Sequence, residues 1–518
     1  NTFSFKKDKQ NKNAIGVIFG VQSKKIFLVK LFEERTSIKK FDIVKFRYSM
    51  QDSNDLDITG IVFDTYLLNQ EKWAKVLQLG DIEKDTNLLD KNIVYKVDSI
   101  DSKNTLKQEL RINDFVGVVA DGSHIGKIKF EYSKKTDDLQ EGDLLELKIG
   151  KEVLFYQVIN GFTQKEKLEA RNETGFIEGE AIQLGKWQNE KLSFQKFGWV
   201  PTINTPIFKA DTSRIEVQEY SYPDYQLGVI PNTNLPSVIN LNEAVSHHMA
   251  LLGVTGSGKS FLAREIITEL KNNDTKVICI DFNNEFIQEL DPKPESIISD
   301  EASKNIFTEI PLLNNALVGD YGKKDETKIQ QHKTNIYNYF KTEIEQFLTS
   351  TDKKVKVFEL PEISNNASSL DYTRYFFDTL FKLVKEHQQD NDVKKISVVL
   401  EEAHTIIPEW NFAGSSDKTS QSLVNNIGQI ALQGRKYGIG FLVIAQRTAN
   451  VSKTVLTQCN TVIWFQAFDD TSIGFLGNYI GKDLVQTLPN LQPFHAVVTG
   501  KAIKSNIPMI IDLTRDEG

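Results

Sequence analysis

Gly253-Val254-Thr255-Gly256-Ser257-Gly258-Lys259-Ser260 follows the spacing G-x-x-x-x-G-K-[ST]. A triphosphate is a polyanion, best held by several backbone N–H groups at once, and the glycines let a chain wrap it without Cβ clashes. Lys259 is placed to reach the β- and γ-phosphates of ATP, and Ser260 to offer its hydroxyl to Mg²⁺. The expected nucleotide-contacting set is Gly253, Thr255, Gly256, Ser257, Gly258, Lys259, Ser260 and Phe261.

A second group supplies the water chemistry. Ile396-Ser397-Val398-Val399-Leu400 is an apolar run ending in Glu401-Glu402-Ala403-His404. Position divides the two acids: Glu401, last on the strand, is the candidate metal carboxylate, directly or through water, and Glu402 the group that polarises the attacking water. Alone, two acids after a strand also describe a solvated loop start; the octapeptide upstream favours the catalytic assignment. Gln446 ends the apolar run Phe441 to Ala445, at the carboxyl end of a strand, which makes it a candidate γ-phosphate sensor. Arg435, in Gly434-Arg435-Lys436-Tyr437-Gly438, has two readings, an arginine finger or a cation capping a helix C-terminus. Asp281 and Glu285 follow another strand and either face the site or lie on a surface loop.

These residues need a scaffold. Met249 to Leu252 reads as a short buried strand, and Leu262, Ala263, Ile266, Ile267 and Leu270 recur at helical steps after the loop. The new helix then points its first amides at the phosphates. From residue 246 to 518, strands at 249–252, 276–280, 355–360, 396–400, 440–445, 460–465 and 495–499 alternate with helices, which predicts an α/β fold on a mainly parallel sheet. Polar amphipathic stretches at about 286–350 predict a helical insertion. Residues 1–165 carry short strands with turn signals and predict a small β-barrel, with 70–112 read as an insertion into it. Residues 166–245, punctuated by five prolines, are expected to form an irregular connector wrapping onto the motor.

At 518 residues, with 40% hydrophobic and 25% charged residues, the chain fits several globular domains. Its apolar runs are far shorter than the roughly 18 residues of a membrane span. It opens Asn1-Thr2-Phe3-Ser4, without a secretion-signal pattern, so no membrane partner and a cytoplasmic location are expected. Cys279 and Cys459 are the two cysteines, each within an apolar pattern, which excludes a disulfide framework and a zinc site. A net charge of −8 argues against coating nucleic acid with the whole surface, although a few cations around a channel would not show in that sum.

In this order the motifs resemble the HerA family of hexameric DNA translocases, within the HerA and FtsK group of RecA-like P-loop motors. The resemblance rests on Leu227-Gly228-Val229-Ile230-Pro231, His248 ahead of the phosphate loop, the Asp281 to Phe286 segment, Glu401-Glu402-Ala403-His404, Gly434 to Gly440, Ala445-Gln446-Arg447 and the Val451 to Thr461 stretch. Gly16 to Gly20 and Gly117-Val118-Val119 are similar to strands of the family's N-terminal barrel. Two features depart from the family's pattern: Glu401 stands where Asp is more usual, and Asn283-Asn284 where Gly often precedes the Glu. The resemblance implies a RecA-like domain, a homohexamer with ATP at subunit interfaces, and double-stranded DNA drawn through the pore. It implies a partner protein as well, a nuclease or an NAD-degrading effector of antiviral defence. Candidate pore loops are 411–420, with Lys418, and 447–453. A ring scaffold that gates an effector with little translocation is the alternative.

Overall fold

The computed structural model describes residues 13–23, 25–32, 38–48, 56–82, 90–98, 100–132, 139–164, 176–213, 215, 218–273, 275–281, 287–319, 324–352, 354–359, 366–389, 395–409, 418–446 and 448–514. Two contact units divide the chain: Asn1–Trp187 with Gln195–Arg214, and Gln188–Phe194 with Ile215–Gly518.

In the first unit, strands β1 (Ala14–Ser23), β2 (Ile26–Leu31), β3 (Ile43–Tyr48), β4 (Leu56–Leu68), β5 (Glu71–Ile82) and β6 (Ile93–Lys96) close a barrel in the order β1-β2-β5-β4-β3-β6. Its inside is filled by Val29, Val44, Phe46, Val62, Ala74, Val76 and Val94. Helix α1 (Ile100–Glu109) leads to a second sheet of β7 (Phe115–Val119), β8 (Lys127–Tyr132), β9 (Leu144–Ile149), β10 (Glu152–Gln164), β11 (Phe176–Gln188), β12 (Ser193–Gln195) and β13 (Pro206–Lys209). Its order is β10-β9-β13-β7-β8-β11-β12, and an extra β10–β11 pairing closes the first six into another ring. The unit therefore holds two ring-closed sheets, not one barrel with an insertion.

The difference has a physical cause. On β5 the consecutive pairs Trp73-Ala74 and Val76-Leu77 are all buried. Ala74 and Val76 fill the barrel, whereas Leu77 joins Ile26, Ile61 and Phe63 on the outside, packed against Phe115 and Val118 of the second ring. A strand covered on both faces loses the polar–apolar alternation that marks a strand in sequence. Likewise β11 and β13 come from the stretch read as irregular connector, and β11 supplies partners to both β8 and β10.

The second unit is built on a ten-stranded sheet. It contains β14 (Asp224–Val229), β15 (Pro236–Asn240), helix α2 (Leu241–Ser246), β16 (Met249–Leu252), α3 (Lys259–Asn272) and β17 (Lys276–Ile280). Then come α4 (Asp300–Val318), α5 (Glu326–Thr349), β18 (Val355–Phe358), α6 (Asn366–Gln389), β19 (Ile396–Leu400), α7 (Ala403–Ile406), α8 (Lys418–Gln433) and β20 (Ile439–Ala445). The unit ends with α9 (Lys453–Leu456), β21 (Thr461–Trp464), α10 (Asp470–Ile480), α11 (Lys482–Val485), β22 (His495–Gly500) and β23 (Met509–Asp512). The order is β15-β14-β23-β22-β21-β16-β20-β19-β17-β18, and the run from β21 to β18 is parallel. Strands β16, β17, β19 and β20 are buried along their whole length, as parallel strands with both faces covered must be. Every strand expected in this half is present, within two residues at its ends. Strands β14 and β15, from the supposed connector, and β23 are additional.

Between β17 and β18, α4 and α5 each begin on a side-chain cap, Ser299 Oγ accepting from Ala302 N and Asp325 Oδ1 from Lys328 N. They are tied by Glu309, whose carboxylate meets His332 at 2.5 Å and accepts from Asn335 at 3.0 Å. Aromatic stacking joins this pair to the sheet: Tyr372 of α6 lies 4.5 Å from Phe307 and 5.2 Å from Phe358 of β18, ring centre to ring centre. Among the described residues no helix is long and apolar enough to cross a membrane, and both cysteines are free and buried.

Candidate nucleotide-binding site

Parallel strands deliver the residues that follow them to one edge of the sheet. Because β20 lies between β16 and β19, the residue after β20 must fall between the loop after β16 and the acids after β19. Gln446 occupies that position. Its side-chain oxygen accepts from the Thr255 hydroxyl at 2.7 Å, and its amide nitrogen donates to Glu402 Oε1. His404 Nδ1 stands 3.1 Å from the other oxygen of Glu402. Three motifs far apart in sequence thus meet in one polar line across three strands.

The loop itself is held tightly. Gly253 has φ 149°, and a Cβ there would lie 2.7 Å from the Cβ of Phe465. Val254 N donates to Gln466 O at 2.9 Å, fixing the loop to the chain beyond β21. Ser257 Oγ and Lys259 Nζ each donate to Val254 O at 2.7 Å, closing the loop on itself. Gly258 adopts φ 112° as the N-cap of α3, so Lys259 and Ser260 form its first turn and Phe261 follows, half-buried. Lys259 is only 6% exposed; burial lowers its pKa, opposed by the charges of Glu401 and Glu402.

Glu401 donates its backbone N–H to Ile280 O at 3.2 Å, which aligns the end of β19 with that of β17. Burial first, and then Glu402 and the buried Asp281, push its carboxyl up to about 8. Its Oε2 is buried without a hydrogen-bond partner. An orphaned carboxylate oxygen there, with the hydroxyl of Ser260 on the first turn of α3 as a second oxygen donor, fits Mg²⁺, a hard cation that takes a few protein oxygens and completes its shell with phosphate and water. Glu402 is in the left-handed region, φ 46° and ψ 49°, at the start of the short α7. A bulky non-glycine residue held there carries backbone strain of the kind that clusters at functional sites.

Arg435 lies elsewhere. It is exposed in the turn before β20, so the seven residues of that strand separate it from Gln446, roughly 23 Å at about 3.3 Å per residue. It is not brought to its own chain's loop; its charge acts on Glu243 and His247 at the opposite edge. Glu285, Arg447 and residues 411–417 of the candidate pore loop lie outside the described residues. Two side chains near the site carried no sequence signal of their own: Arg264 on α3, whose charge acts on Glu401, and Phe494, whose ring meets Phe261 and Gly258.

Residues 225–456 match the domain family described as Helicase HerA, central domain. A DNA double-strand break repair helicase HerA of Sulfolobus acidocaldarius is 21% identical over 425 residues, covering 69% of this chain and 82% of that protein. A probable helicase of Methanocaldococcus jannaschii is 21% identical over 384 residues, 61% of this chain and 72% of its own. Among solved structures, VirB4 of Thermoanaerobacter pseudethanolicus aligns over 57% of this chain and 98% of its own, with 11% identity and a TM-score of 0.38. With the phosphate loop, the paired acids and the intervening Gln446 on one sheet edge, and with this run of helicase relatives, residues 225–456 carry a HerA-type central domain and the chain is similar to P-loop ATPases of the HerA family.

Proposed function

We propose that this chain is an ATP-driven translocase of double-stranded DNA that works as a homohexamer with a partner nuclease or effector, in DNA processing or antiviral defence. The observation that carries the reading is the line Thr255–Gln446–Glu402 laid beside Lys259. In this reading the loop amides and Lys259 hold the triphosphate, and Ser260 with Glu401 would hold Mg²⁺, which would supply charge neutralisation for phosphoryl transfer. Glu402 accepts a proton from the attacking water as its oxygen bonds to the γ-phosphorus and the bond to the bridging oxygen breaks, giving ADP and phosphate. Gln446 keeps the Glu402 carboxylate turned toward the loop and reports the γ-phosphate to β20. Arg435, exposed at the far edge, meets a nucleotide only on a neighbouring subunit, which favours a ring. Double-stranded DNA enters through the relatives named as break-repair helicases. The test is ATP turnover with and without long duplex DNA: the reading expects stimulation, and turnover indifferent to DNA, alone and with its partner, contradicts it.

A further inference from the structure

Phe494 is the last residue before β22, and it is unusual in three ways. It is 36% exposed, its φ is 63°, and its backbone is pinned on both sides. Its N–H donates to Ser257 O in the phosphate loop at 3.1 Å, and its carbonyl accepts from Leu513 N at 2.9 Å. The ring stands over the loop: a Cβ on Gly258 would come within 3.1 Å of it, and it meets Phe261 edge to face at 5.8 Å and 89°. An aromatic about one-third exposed, in a left-handed backbone tied to the phosphate loop, is an outlier of the kind that clusters at ligand clamps.

The orientation of a nucleotide says what the ring faces. Gln446 and Glu402 mark the γ-phosphate end through Thr255, so the nucleoside must leave the loop from the other end. That end is the first turn of α3, where Gly258 and Phe261 carry the Phe494 ring. We propose that Phe494, braced by Phe261, is the platform on which the purine base of the bound triphosphate stacks. The inference rests on the seating of the triphosphate over Lys259 proposed above. An aromatic face reads stacking area and not hydrogen-bonding edges, so the platform favours purine over pyrimidine triphosphates without separating adenine from guanine.

Base–aromatic stacking supports about a tenfold or greater effect on affinity. In the full chain, Phe494→Ala is expected to raise KM for ATP about tenfold, a rise that outweighs any fall in kcat, and to shrink the wild-type preference for ATP over CTP. Phe494→Trp returns KM to within about twofold of wild type. Inorganic tripolyphosphate, which has no base, competes equally well against both variants and wild type. Should Phe494→Ala fail to fold, Phe494→Leu keeps the apolar packing without the π face and is expected to show the same rise. An unchanged KM, or a loss of tripolyphosphate inhibition in step with the loss of ATP affinity, overturns the platform. Full turnover by Lys259→Ala in the same assay would overturn the seating of the triphosphate instead, so the two failures are distinguishable.

Discussion

At the scale of single residues, the site joins a strained acid to a neutral amide. Glu402 carries a left-handed backbone, and Gln446 spans from it to Thr255; removing the amide frees the carboxylate to turn away from the loop. Gln446→Ala is therefore expected to lower kcat by about 10²-fold, the scale of one preorganised polar group, with a much smaller change in KM for ATP in steady-state assays. A second residue-scale prediction concerns His248. Its Nδ1 accepts from Phe441 N at 3.0 Å, so the proton sits on Nε2, which donates to Ala431 O at 2.6 Å. Burial lowers its pKa, so the native state keeps the neutral ring. The unfolded chain binds the proton first, near the ordinary value of about 6.5. Stability is then level above that pH and falls as pH drops below it, by up to about 1.4 kcal/mol per pH unit for one proton. Urea midpoints between pH 5 and 8 check this: His248→Gln should flatten the acid limb, and an unaltered limb contradicts the assignment.

At the scale of elements, sequence reading succeeded where one strand does one job. The loop after β16, the acids after β19 and the amide after β20 each follow a short, wholly buried and largely apolar run, and their meeting at one edge follows from parallel pairing. It failed where a strand serves two cores, as β5 does, and where strands lie within a proline-punctuated stretch, as β11, β13, β14 and β15 do. The order of strands in the sheet, which puts Gln446 between Thr255 and Glu402, is a tertiary fact with no local trace. Phe494 was invisible for the same reason, since the loop it covers lies more than 200 residues earlier in the chain. The two-ring unit makes its own prediction. Leu77 is fully buried between the rings, and Leu77→Ala should cost about 2–5 kcal/mol, seen as a lower unfolding temperature by calorimetry. Leu67, 68% exposed on β4, should tolerate Ser within about 0.5 kcal/mol; equal costs at both positions contradict the two-core account of this unit.

At the scale of the whole molecule, the proposed ring would divide catalysis between copies. The phosphate loop and the exposed Arg435 lie at opposite ends of β20, so in a ring each site borrows its arginine from a neighbour. Arg435→Ala is expected to lose most ATP turnover, by about 10³-fold or more for a transition-state arginine. Co-expression with Lys259→Ala subunits should recover part of it, because an intact loop then faces an intact arginine; no recovery in mixed assemblies contradicts trans action. The formal charge of −8 leaves any DNA contact to a local lining and not to the surface at large.

The central claim is that Glu402 acts on water at a triphosphate held over Lys259. Phosphate release by Glu402→Gln at saturating ATP, measured beside ATP binding by calorimetry, tests it most directly. The account predicts binding within about threefold of wild type and release slower by at least about 10²-fold, within the range of general base catalysis. Wild-type release by this variant would contradict it.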